Sequence, residues 1–236
     1  MPYLINELSV FLPAYNEEES VGNTIKKVRE VLFKTAQKWE IIIVDDGSQD
    51  KTGEVADKFS QEDERIKVIH HHLNRGYGAA LKSGLYAGKY AWISFTDADG
   101  QFDFSEIANF IQTQKETKAD LVIGYYRKRM VSKFKIITSK IWELMVLLLF
   151  GLKVKDIDCG FKFFSKKVVE EIPKLESERG AFISSEFLIK AKKQGFKIVE
   201  IPVNHYPRKS GAGTGRNLNV IIKSFVDLFK LWLKLR

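Results

Sequence analysis

The chain has 236 residues, 44% of them apolar, enough for one domain with a full core. Its one cysteine, Cys159, excludes an internal disulfide and fits a reducing compartment. A formal net charge of +8 admits nucleic acid, anionic lipid or phosphorylated small molecules as partners. Residues Met1 to Glu7 lack a charged segment leading into an apolar one, so no signal peptide is expected. The longest apolar run, Ile141 to Leu152, is broken by Glu143 and Gly151. It is shorter than the ~20 residues a membrane span needs, and no transmembrane helix is expected.

Strand and helix patterns alternate through the first half. Leu8 to Leu12 reads as a strand ended by Pro13, and Glu17 to Lys34 as a helix. Trp39 to Val44 is a second strand, running into Asp45-Asp46-Gly47-Ser48, with a helix from about Thr52 to Phe59. Ile66 to Ile69 is a third strand and Gly78 to Gly88 a third helix. Tyr90 to Thr96 forms a fourth strand, Phe104 to Glu116 a helix, and Asp120 to Gly124 a fifth strand. This alternation predicts an α/β fold with a mostly parallel sheet and helices on both faces. The near-continuous apolar strands agree with a sheet covered on both sides.

Beyond Gly124 the pattern changes. Residues 127–140 carry Arg127, Lys128, Arg129, Lys133, Lys135 and Lys140 without an acid, and a basic amphipathic helix is expected from about Ser132 to Phe150. Cys159 to Phe164 reads as a strand, Ser184 to Gln194 as a helix and Lys197 to Ile201 as a late strand. Gly211, Gly213 and Gly215 mark a flexible loop. In the last helix, Lys223, Asp227, Lys230 and Lys234 fall on one narrow arc and nearly everything else is apolar. So wide an apolar face exceeds that of an ordinary surface helix. It fits a membrane interface, a partner's membrane helices, or packing on its own domain or a second protomer. The basic patch would draw anionic lipid to the same side. The division expected is a domain over 1–215 and an amphipathic helix over 216–236. Basic residues bordering apolar runs, without aromatic stacking platforms, exclude nucleic acid as a partner.

The chemistry centres on Asp97-Ala98-Asp99, at the carboxyl end of the fourth strand. In an open α/β sheet ligands bind at that edge. Two carboxylates there suit a hard divalent cation that keeps positions open for phosphate oxygens, although the same tripeptide also serves in plain turns. His70, His71 and His72 look like a metal cluster. Neighbouring strand residues point to opposite faces, which favours strand-end roles instead.

Four motifs then occur in order: Pro13-Ala14-Tyr15-Asn16-Glu17, Val44-Asp45-Asp46-Gly47-Ser48, Asn74-Arg75-Gly76-Tyr77-Gly78 and Asp97-Ala98-Asp99-Gly100-Gln101. Asp158-Cys159-Gly160-Phe161-Lys162 and Val203-Asn204-His205-Tyr206-Pro207-Arg208, with Gly211 and Thr214, follow. Over about residues 8–215 the chain resembles the family-two inverting glycosyltransferases of GT-A fold, and among them the dolichyl-phosphate mannose synthase group. The resemblance implies transfer of a hexose from a nucleotide sugar, GDP-mannose or a UDP-hexose, to a polyprenyl phosphate. It implies that Pro13, Tyr15 and Glu17 line the nucleotide pocket and that Asp46 contacts the base or ribose. Asp97 and Asp99 would hold Mg²⁺ or Mn²⁺ against the diphosphate, with Gln101 beside them. Arg127 and Arg208 would meet donor or acceptor phosphates, with Lys133 and Lys135 as further candidates, and Glu186 would serve as a base or orienting group.

The implied acceptor relaxes the need for a base. A phosphate monoester is largely ionised at neutral pH, so positioning and cations can do most of the work. The expected placement is peripheral, on the cytoplasmic face of a membrane, with a membrane-protein partner or a homo-oligomer both open. Two other readings stand beside this one. One keeps the donor and takes a saccharide or protein acceptor, which demands a true base. The other is a non-catalytic, transferase-like membrane module.

Overall fold

The structure is a computed structural model that describes residues 3–127, 133–178, 182–208 and 218–235, with side chains for all of these except 133–135 and 218–223. Lys133 and Lys135, with Gly211, Gly213, Thr214 and Gly215, therefore lie outside the described side chains or residues, as do Lys128 and Arg129.

Seven strands form one sheet. β1 (Ile5–Ala14) and β2 (Ala36–Asp45) run parallel, with Val10 opposite Ile41 and Ala14 opposite Asp45. β3 (Ile66–His70) adds to β2, and β4 (Trp92–Phe95) to the other side of β1, both parallel. β5 (Leu121–Tyr126) and β7 (Ile198–Val203) also pair in parallel. Between β4 and β5 sits β6 (Lys162–Ser165), antiparallel to both, giving the order β3-β2-β1-β4-β6-β5-β7. The expected mostly parallel sheet is thus present with one reversed strand. Its direction depends on which neighbours receive it, and the local residue pattern carries no sign of that.

Alternation along β2 builds two cores. Ile41 and Ile43 face α1 (Val21–Thr35), α2 (Thr52–Glu62) and α4 (Ile107–Thr117). Ile42 and Val44 face the opposite layer, formed by α3 (Tyr77–Ala87), α5 (Lys133–Phe150), α6 (Lys166–Glu171), α7 (Phe182–Lys193) and α8 (Leu218–Leu235). A two-residue side-chain period under helices on both faces buries every one of these positions. The sequence patterns locate these helices to within a few residues, except α6. A six-residue helix is too short to show a period.

α3 lies unusually close to the sheet because of Gly84. A Cβ there would sit 2.5 Å from Phe11 Cγ, a spacing that real side chains do not adopt. α8 packs on its own domain through Leu228 and Leu231, and the Phe225 ring meets Trp142 edge-on at 5.1 Å. Its other side exposes Val226, Phe229 and Leu233. α5 exposes Ile137, Ile141, Leu144, Leu147 and Leu148, the last 70% accessible. Among the described residues no helix is long and apolar enough to cross a membrane.

Candidate active site

The parallel strands deliver their carboxyl ends to one edge. On that edge lie the end of β1 with the loop behind it (Pro13 to Glu17), Asp46 after β2, Asp97 and Asp99 after β4, Arg127 after β5 and Arg208 after β7. The first two loops are stitched to each other. Asn16 N–H donates to Ser48 Oγ at 3.0 Å, Glu17 N–H to Thr52 Oγ1 at 2.7 Å, and Gln49 N–H to Asn16 Oδ1 at 2.9 Å. Tyr15 is left at the surface of this seam with an accessible ring. Pro13 offers its carbonyl to Ala98 N–H at 3.3 Å, which places the turn carrying both aspartates against the first loop.

Asp99 and Glu17 share one cation. Arg208 donates from Nη2 to Asp99 Oδ2 at 2.8 Å and from Nη1 to Glu17 Oε1 at 2.7 Å. The other Asp99 oxygen accepts Gln101 N–H at 3.0 Å. Gln101 also fastens the strand leading to Arg208: its Nε2 donates to the Tyr206 carbonyl at 2.8 Å, and Tyr206 N–H donates back to the Gln101 carbonyl. A planar guanidinium across two carboxylates is good charge-assisted geometry. It also shows that this corner is built to hold positive charge. Asp97 and Asp99 contribute oxygen donors only, the set a hard divalent cation prefers, so the residues present fit such an ion.

Asp97 lies deeper. Burial, then the neighbouring charge of Asp99, pushes its carboxyl up to about 7, against the opposing pull of the Tyr77 hydroxyl, Lys162 and Arg208. Tyr77 donates to Asp97 Oδ1 at 3.0 Å. Burial, more than the nearby carboxylates, raises the phenol well above its usual range, so it stays a donor. Gly160 borders the same carboxylate, and a Cβ there would come 2.9 Å from Asp97 Cγ. Lys162 is fully buried, with its ammonium on the carbonyls of Ile157, at 3.1 Å, and Cys159. Burial lowers its pKa. Burial likewise raises Glu17, with Ser20 and Arg208 opposing.

The family model for glycosyl transferase family 2 matches residues 9–173, well over half of the chain. The chain belongs to that family. This glycosyltransferase is 29% identical over 86% of its length to Glycosyltransferase AglD of Haloferax volcanii, and spans only 33% of that larger protein. It is 33% identical over 84% of its length to a dolichyl-phosphate beta-glucosyltransferase of Saccharomyces cerevisiae, spanning 66% of that chain. Among solved structures, glucosyl-3-phosphoglycerate synthase from Mycobacterium tuberculosis, in complex with Mn²⁺, UDP and glucosyl-3-phosphoglycerate, superposes with a TM-score of 0.71 at 19% identity. It covers 98% of this chain and 80% of its own. That likeness is one of fold, and the glycosyltransferase has the GT-A-like α/β architecture.

Two residues expected at the site have other employment. Glu186, on α7, is 1% exposed. Its Oε1 accepts Glu176 N–H at 2.8 Å and the Lys190 ammonium at 2.6 Å, and its Oε2 accepts Ser177 N–H at 2.9 Å. Burial alone would raise its pKa, but Lys190 and the two N–H groups outweigh burial and lower it. A carboxylate so held is a poor general base, and these contacts give Glu186 a structural role. A cavity of about 500 Å³ beside it is lined by Glu176, Phe182, Lys230 and Leu231, and its lining includes none of Asp97, Asp99 or Arg208.

Asp46 is engaged in a comparable way. It is buried, and its oxygens accept from His71 Nδ1 at 2.6 Å, Gly76 N–H at 2.7 Å, Asn74 Nδ2 at 3.0 Å and Arg75 N–H at 3.1 Å. It organises the loop 71–76. His71 passes its other nitrogen to Ser83 Oγ at 2.9 Å, while His70 pairs with Asp45 and Asp57, both at 3.0 Å. The histidines therefore diverge onto separate carboxylates. Arg127 stands exposed at the end of β5, with its N–H on the Val203 carbonyl. The sequence reading passed over Tyr77 and Gly160 as contacts of Asp97. Their signal was present, since both lie inside motifs that bore the resemblance, but it named no partner.

Proposed function

We propose that this glycosyltransferase moves a hexose, with inversion, from a nucleotide-diphosphate sugar to a polyprenyl phosphate, using Mg²⁺ or Mn²⁺ held by Asp97 and Asp99. The observation that carries the reading is the Asp99–Arg208–Glu17 cluster beside Asp97 at the carboxyl edge of the sheet. When bound, the cation would stabilise charge growing on the leaving diphosphate and orient it. Pro13, Tyr15 and Glu17 would line the nucleotide along the first loop, with Tyr15 offering a ring face. Arg208 can exchange a carboxylate oxygen for a phosphate oxygen without leaving the corner, and Arg127 is exposed to meet the second phosphate. The dolichyl-phosphate name of the yeast relative supports the acceptor class. Engagement of Glu186 by Lys190 supports it too, because an acceptor that arrives ionised needs no strong base, whereas a saccharide hydroxyl does.

A lipid acceptor places the enzyme at a membrane surface. The apolar stripes of α5 and α8 are the surfaces we assign to that contact, with the 216–236 segment as docking helix and the catalytic domain on the cytoplasmic side. The deciding experiment incubates the protein with radiolabelled UDP-glucose, UDP-N-acetylglucosamine or GDP-mannose, Mn²⁺ and a short-chain polyprenyl phosphate. Label extracted into the organic phase, lost in Asp97→Asn and Asp99→Asn, is the expected result. Label transferred only to a saccharide or protein, or equal transfer by the Asn variants, overturns the reading.

A further inference from the structure

An aspartate has little torsional preference of its own about χ2, so the plane of its carboxylate is set by what surrounds it. At Asp97 the surroundings are specific. The Tyr77 hydroxyl donates to Oδ1 at 3.0 Å, and the bare Cα of Gly160 lies against the other oxygen, where any Cβ would collide. Tyr77 is itself held at a set height. It is the first residue of α3 and follows Gly76, whose φ of +97° only glycine adopts readily and whose N–H donates to Asp46. Gly78 abuts the backbone of Glu178, where a Cβ would sit 2.7 Å from the carbonyl oxygen, and Ala79 N–H donates to that oxygen at 2.8 Å. The Glu178 carboxylate takes Arg75 at 3.3 Å and Lys82 at 3.2 Å, and the residues just before it hang by their N–H groups from Glu186.

We propose that Tyr77 is the positioning residue of the cation site: its hydroxyl, fixed by the junction of α3 with Glu178, and the Gly160 wall together set the Asp97 carboxylate for metal binding. The inference rests on the reading of Asp97 and Asp99 as the cation pair. Glu186, two links further out, belongs to the same scaffold. Groups that orient a metal ligand without touching the metal typically govern affinity by 10–100-fold.

The test is a titration of the full-length protein with Mn²⁺ alone, free ion being followed by electron paramagnetic resonance, with no nucleotide or acceptor present. Tyr77→Phe keeps the ring and removes only the hydroxyl. Tyr86→Phe makes the same change on the same helix, where the hydroxyl accepts Leu175 N–H at 3.2 Å. The expected result is Mn²⁺ affinity about 10–100-fold weaker in Tyr77→Phe and unchanged in Tyr86→Phe, with thermal melts showing both variants folded. Gly160→Ala should weaken binding by at least as much. Equal affinity in wild type and Tyr77→Phe overturns the positioning role and leaves the metal reading intact, and so does an equal loss in the two phenylalanine variants. A wild-type protein that binds no Mn²⁺ overturns both.

Discussion

Asp97 is a half-buried acid whose ionised form is costly while no cation is near. Its carboxyl titrates at about 7 rather than the ordinary 3.8, chiefly through burial and then through Asp99. A cation bound by Asp97 would have to displace that proton, so Mn²⁺ affinity should rise from pH 6 to pH 8 and then level off, readable by the same spin-resonance titration. The same shift has a consequence for stability. The folded state holds the proton between pH 4 and 7 while the unfolded state releases it, so this group destabilises the fold progressively as pH rises through that window. Asp97→Asn should therefore melt above wild type at pH 8, by up to about 4 kcal/mol, and match it below pH 4. Calorimetry at the two pH values decides; a variant less stable at pH 8 contradicts the account. The doublet Asp97 and Asp99 was legible because its chemistry is local and sits at a strand end. Its contacts with Tyr77, Gly160 and Arg208 were not, because each spans 20 residues or more of sequence.

At the scale of elements, α7 shows how a residue singled out for chemistry also carries structure. Glu186 and Lys190 are four apart on one helix, both buried, and their pair ties α7 to the turn that abuts α3. Glu186→Ala strands a buried ammonium and should cost about 3–5 kcal/mol, whereas the paired Glu186→Leu/Lys190→Met should recover most of it. Denaturant melts of the three proteins test this. Because the Glu186 pKa is lowered, its contribution is present above about pH 4.5 and is lost as pH falls through the lower folded value. Turnover per folded molecule in Glu186→Gln should stay within about tenfold of wild type, where loss of a general base would cost about 100-fold or more. Strands and long helices were readable from period alone. The reversed β6 and the short α6 were not, since one depends on neighbours and the other offers too few residues to show a repeat.

Over the whole molecule the distribution of apolar surface divides the work. The sheet is covered on both faces, yet α5 and α8 leave rows of Ile, Leu, Val and Phe in solvent on the layer that also carries α3. The C-terminal helix was expected either to serve a membrane or partner or to pack at home. One face does pack at home, through Leu228 and Leu231, and the other stays open. The double variant Leu148→Glu/Phe229→Glu changes only exposed positions, so its melting temperature should stay within a few degrees of wild type. Co-sedimentation with vesicles rich in anionic lipid should fall at least severalfold, and undiminished sedimentation would remove both helices from the membrane contact.

Residue order alone was enough to establish the α/β class, the alternation of elements, the family and the strand-end carboxylates. Each of these follows from periodicity or from short motifs, in which neighbouring residues carry the information. Tertiary structure alone decided which side chains share a charge. It put Arg208 on Asp99 and Glu17, tied Glu186 to Lys190 and Asp46 to the loop 71–76, and set Tyr77 beside Asp97. The reason is physical: burial and pairing determine what an ionisable group can do, and both are properties of surroundings assembled from distant parts of the chain.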